Sequence, residues 1–140
     1  MNPVRTIVVG VDGSAASLAA VEWTVGVAQA LSARVVAVHA LGLLDRLTPD
    51  GPKVAAQPHR EEINEVFENQ WCGPLATSGL DFDRQLIDGN PVSVMLATIE
   101  AEGADLAVVG ARGAGQAPSH LLGSTSTQLA LRADIPVTIL

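Results

Sequence analysis

A chain of 140 residues, 48% of them hydrophobic, has the length for one domain with a full core, and residues 1–140 read as a single domain. A formal net charge of −7, with eight scattered Lys and Arg, argues against a nucleic-acid partner held through its phosphates. The lone Cys72 leaves no intramolecular disulfide or cysteine zinc cluster, the start lacks a secretory pattern, and no run approaches the ~18 apolar residues of a membrane span, so the expectation is a cytoplasmic protein without a membrane partner.

Thr6-Ile7-Val8-Val9-Gly10-Val11 is too short for a helix and too uniformly apolar for a half-exposed strand. It predicts a strand buried on both faces, as in a parallel sheet. Asp12-Gly13-Ser14 turns the chain, and Ser14 or Asp12 can cap a helix with Leu18, Val21, Val25 and Ala28 at helical spacing to about Leu31. Arg34 to Leu41 is a second buried strand, and Gly42 to Pro58, with Pro49, Gly51 and Pro52, has no period and predicts a loop. Glu61 to Trp71 sets Ile63, Val66, Phe67 and Trp71 on one face and four glutamates on the others, the pattern of an amphipathic helix, which Gly73-Pro74 should break or kink. Phe82 to Ile87 alternates loosely and predicts a strand nearer a sheet edge. Pro91 suits a first helical position, and that helix runs to Gly103. Asp105 to Gly110 is a third strongly buried strand, Gly123 or Ser124 opens a last helix to Ala133, and Pro136 to Leu140 is a final strand.

Strands and helices in this alternation specify an open, doubly wound parallel α/β sheet with helices on both faces. Ligands bind such sheets outside the carboxyl ends of the strands, where the strand order reverses. Here those ends are Asp12-Gly13, His39-Ala40-Leu41 and Gly110 onward.

A Walker phosphate loop is excluded, because the one lysine, Lys53, lies far from any Gly-Lys-Ser/Thr. Gly10-Val11-Asp12-Gly13 has the wrong spacing for a dinucleotide fingerprint, and Ser119-His120 comes without a Gly-x-Ser-x-Gly elbow. What remains is Gly110, Gly113, Gly123 and Ser124, spaced Gly-x2-Gly-x9-Gly-Ser between a buried strand and a helix start. Backbone without side chains admits a sugar or phosphate closely, the first amides of the helix favour an anion, and Ser124 adds a hydroxyl. Plainer readings stand beside these. Asp12 suits a plain helix cap, and the glycines a tight loop. His39 reads as a satisfied buried histidine, His120 as solvated, and His59 with Glu62 as two ligands lacking a third. Trp23 and Trp71 read as packing residues.

The segments "IVVGVDGSAAS", "VVAVHAL", "DGNPVSVMLATIEAEGADLAVVGARG" and "LLGSTSTQLALRADIPVTIL" together resemble the universal stress protein family, of its ATP-binding type, across essentially the whole chain. The resemblance implies a five-stranded sheet of order 3-2-1-4-5 and ATP bound with Mg²⁺ or Mn²⁺. It implies that Asp12 faces the ribose or the bound metal and that the backbone of Ala40 meets adenine. Gly110 and Gly113 would line ribose and phosphates, and Gly123, Ser124 and Thr125 would bind phosphate oxygens. The sequence departs from the family's pattern in the loop Ala114 to His120, which offers no permanent cation, so Arg112 is the nearest charge to offset a triphosphate. A homodimer through the last strand is implied as well, since an apolar edge is otherwise open to non-specific pairing. Three functions follow: a nucleotide-binding regulator of the stress response with no catalytic residues, a slow ATPase, or an interaction module with a degenerate site. Cyclic AMP in place of ATP and a tandem arrangement also stay open.

Overall fold

The computed structural model describes residues 3–41, 47–48, 51–52, 57–112 and 123–140. The β-branched runs predicted as buried strands form one parallel sheet from β1 (Thr6–Gly10), β2 (Arg34–Ala40), β5 (Phe82–Ile87), β6 (Leu106–Val109) and β7 (Val137–Ile139). Its order is β5-β2-β1-β6-β7, which is 3-2-1-4-5 when the sheet's own strands are counted along the chain. Phe82 to Ile87 takes the edge, as its weak alternation suggested. Within the segment read as a loop, β3 (Leu47–Thr48) and β4 (Gly51–Pro52) make a separate antiparallel pair.

Alternation along the strands divides the core in two. Ile7 and Val9 face the side covered by α1 (Ala15–Leu31), packing with Ala20, Val21 and Ala28, and with Phe67 and Leu75. Val8, Val36, Val38 and Val109 face the other side, against Val94 and Met95 of α4 (Pro91–Glu102) and Leu129 of α5 (Ser124–Arg132). Ile7, Val8 and Val9 are all at 0% exposure, so both faces of β1 are sealed and its continuous apolar run is explained.

Local chemistry sets the helix ends. Asn90 Oδ1 accepts from the amides of Val92 and Ser93 at the start of α4, and Gly103, at φ 60°, closes it in the left-handed conformation. The helix expected over Glu61 to Trp71 differs in form. α2 (Gln57–Val66) passes into a π-helical turn, Phe67–Trp71, whose widened spacing appears in the bond from Cys72 N–H to Phe67 O, 3.1 Å. Gly73-Pro74 then starts a separate short helix, α3 (Gly73–Ala76). No helix among the described residues is long and apolar enough to cross a membrane.

The chain builds outward from β1 through β2 to β5, then crosses back to β6 on the far side of β1. The reversal therefore lies between the carboxyl ends of β1 and β6, and that is where an open α/β sheet parts to form a crevice.

Candidate functional site

A cleft of about 420 Å³ occupies this switch point. Gly10 forms part of its floor, where a Cβ would stand 3.1 Å from Met95 Sδ. Beyond β1, Val11 N–H donates to Val38 O at 2.9 Å, the last rung tying β1 to β2. Asp12 follows. Its amide donates to Ser17 Oγ at 3.0 Å, and its Oδ1 accepts from Ser14 N–H at 2.9 Å. Ser14 Oγ in turn accepts from Ser17 N–H at 3.1 Å, so Ser14 caps α1, and the Asp12 carboxylate shapes the turn before it. Gly13 is needed in that turn twice over: its φ is +81°, and a Cβ there would stand 2.5 Å from ring carbons of Trp71.

At the end of β2, His39 Nδ1 lies 2.6 Å from Val11 O. A carbonyl only accepts, so the proton sits on Nδ1. Burial pushes the imidazole below its ordinary pKa, against the opposing pull of the Val11 carbonyl and the Asp12 charge. The satisfied histidine expected from sequence is thus found, half-buried rather than buried, at a position that also lines the cleft.

At the end of β6, Gly110 lies under the first turn of α1, where a Cβ would be 2.8 Å from the Ala16 carbonyl carbon. The chain enters α5 at Gly123, whose amide donates to Ala111 O at 2.6 Å. Ser126 Oγ donates to Ala111 O at 2.8 Å and lies 3.0 Å from Gly123 O, pinning the helix start to the end of β6. Gly123 offers no side-chain cap and the first turn carries no acid, so the amides of Ser124, Thr125 and Ser126 lack intrahelical acceptors and favour an anion.

The lining is mixed: Val38, Ala40, Pro91, Val94 and Met95 are apolar, while Asp12, Ser17 and the Gly123–Ser126 turn supply polar groups. Asp12, Ala40, Gly110, Gly123, Ser124 and Thr125, all singled out from sequence, line it together. Arg112 is not among the lining residues; its carbonyl lies 3.4 Å from Ser14 Oγ, which donates to it. Gly113 and the loop Ala114 to His120 lie outside the described residues. No lysine or arginine lines the cleft among the described residues.

Sequence reasoning missed Ser17, Ser126, Pro91, Val94 and Met95. Ser17 and Ser126 had a visible signal, each lying three residues after a helix cap, where a buried hydroxyl meets the preceding strand's end. Val94 and Met95 looked like ordinary core residues of a helix, and only the parting of the sheet exposes them to the cleft. Among the described residues no group of three or more His, Cys, Asp or Glu gathers to hold a metal ion.

The model of the universal stress protein family matches residues 3–140. The chain is 31% identical over 140 residues to a universal stress protein of Thermus aquaticus, covering 96% of this chain and 97% of that one. It is 30% identical over 139 residues to one of Mycobacterium tuberculosis, covering 97% of this chain and 48% of the relative, so it spans about half that relative's length. Among solved structures, a universal stress protein in complex with cAMP shares 26% identity at a TM-score of 0.76, with 99% of this chain and 98% of that one covered. One from Archaeoglobus fulgidus in complex with dAMP shares the fold at a TM-score of 0.74 and 19% identity, with 99% and 98% covered.

Proposed function

The chain belongs to the universal stress protein family, and from that premise we propose that it is an adenine-nucleotide-binding module of the cytoplasmic stress response, holding ATP with Mg²⁺ or Mn²⁺ and acting as a homodimer through β7. The observation that carries this reading is the cleft at the switch point, whose lining joins apolar side chains that suit a base to open amides and hydroxyls that suit phosphates. Adenine meets the backbone of Ala40 and the apolar side chains that line the cleft, Val38 and Met95 among them. Asp12 meets the ribose or the bound metal, Gly110 and Gly113 border the ribose and phosphates, and Gly123, Ser124 and Thr125 receive the phosphate oxygens. Arg112 is the nearest cation in sequence to the phosphates. The relative bound to cAMP supports an adenine nucleotide as the class of ligand.

A divalent cation fits these residues as a companion of the phosphates. Mg²⁺ keeps several waters and takes one or two carboxylates together with substrate phosphates, a demand that the single carboxylate of Asp12 meets. When bound it neutralises phosphate charge that no lining lysine or arginine among the described residues offsets.

Thermal unfolding with and without Mg-ATP, with GTP and cyclic AMP alongside, tests the reading. Ligand at about 100 times its dissociation constant stabilises the native state by about 2.7 kcal/mol, which raises the midpoint by several degrees. Absence of any rise at millimolar Mg-ATP or cyclic AMP, in protein shown by mass spectrometry to carry no nucleotide, overturns it. The lack of lysine and arginine in the described lining favours as second reading an interaction module with a degenerate site, which that outcome would bring forward.

A further inference from the structure

Resting on the nucleotide reading above, we propose that His39 is a positioning residue for the cleft: it donates from Nδ1 to the Val11 carbonyl, braced against Trp71, and so fixes the turn that presents Asp12. The backbone ladder between β1 and β2 ends with Val11 N–H on Val38 O. One step further the chain leaves the sheet, and the next polar group, the Val11 carbonyl, finds a side chain in place of a strand. His39 thus carries the coupling of β2 to β1 past the end of the ladder, to the residue before Asp12.

The same turn is held from its other side. Trp71 meets His39 edge to face, ring centroids 5.0 Å apart, and Phe67 lies behind at 6.1 Å. Trp71 also packs so closely on Gly13 that no Cβ fits between them. Val11 and Gly13, the neighbours of Asp12, are therefore each held by one of two rings that pack on each other. The hydrogen bond is directional and the ring contact is not, so the Nδ1 donor sets where Asp12 stands, while Trp71 keeps the imidazole in place to donate. The π-helical turn Phe67–Trp71, a local widening of the helix, brings the indole to this position.

The test separates the donor from the ring. An asparagine amide places an N–H near the position of histidine Nδ1 without the ring, and a phenylalanine keeps the ring without the donor. Binding of cyclic AMP and of ATP with magnesium is measured by titration calorimetry for wild type, His39→Asn and His39→Phe, with circular dichroism to establish folding. His39→Asn should bind within about threefold of wild type, and His39→Phe should lose roughly tenfold, because a turn no longer held at the Val11 carbonyl must be ordered by the ligand on binding. Equal losses in both, no loss in His39→Phe, or the reverse order overturns the proposal. Should His39→Phe not fold, His39→Leu takes its place; should neither fold, a loss of about tenfold or more in His39→Asn overturns the proposal and a smaller one supports it. A wild type that binds neither probe overturns the nucleotide reading and this inference with it, whereas a binding wild type with an undiminished donor-less variant overturns this inference alone.

Discussion

Replacing Gly110 with alanine would set a Cβ 2.8 Å from both the carbonyl carbon and the Cβ of Ala16, and 2.9 Å from Ser17 N. Two of those three are backbone atoms of the first turn of α1, which cannot rotate aside as a flexible side chain would. Gly110→Ala should therefore cost about 1–3 kcal/mol and lower the unfolding midpoint by several degrees in protein without nucleotide. An unchanged midpoint would mean that α1 yields freely and that the glycine serves only what enters the cleft. The sequence offered two reasons for this glycine, the close approach of a ligand and a tight loop. The approach of a helix 94 positions earlier in the chain is a contact that no spacing reveals. Asp12 and Ser14 teach the same lesson, since both residue types cap helices and only the bond from Ser17 N–H to Ser14 Oγ assigns the cap to Ser14.

Element by element, the ends of α4 were the most legible features, because Pro91 and Gly103 act through the backbone within a few residues of themselves. α1 also carries a weakness that its sequence shows. Gly26 sits in the interior of this 17-residue helix, exposed, and no atom lies within 4 Å of the Cβ an alanine would add. Gly26→Ala should stabilise the protein by about 0.5–1 kcal/mol, read as a raised denaturant midpoint with an unchanged slope. A lower midpoint would show that the glycine relieves a strain in α1. The π-helical turn was not legible, because one widened turn barely disturbs the phase of apolar residues over a helix so short. Phe67 and Trp71 keep their inward face in either geometry, and hydropathy alone does not tell the two apart.

For the whole molecule, the open edge of β7 bears on assembly. Pro136 O and Leu140 N–H point inward, to Ala107 N–H and Val109 O. By alternation the amides of Val137 and Ile139 point away from β6 and are available to a second copy of the strand. Light scattering should give a mass near twice 14.4 kDa for the wild type, and Ile139→Pro, which removes an outward amide and leaves the inward ladder intact, should return it to one chain's mass. A wild type at one chain's mass, or a dimer that survives Ile139→Pro, counts against pairing through this edge. By itself the sequence determined the five strands of the main sheet, the principal helices, the doubly wound class and the segments that could meet a ligand, because hydrophobic period and cap chemistry act over a few residues. It also carried the family resemblance, and with it the strand order that the sheet adopts. Only the tertiary structure decided which of those segments share a cleft, that Arg112 is absent from its described lining, and that Ser17 and Met95 belong to its surroundings. Those outcomes depend on where the sheet parts between β1 and β6 and on how closely α1 approaches it, distances set by packing among residues far apart in the chain.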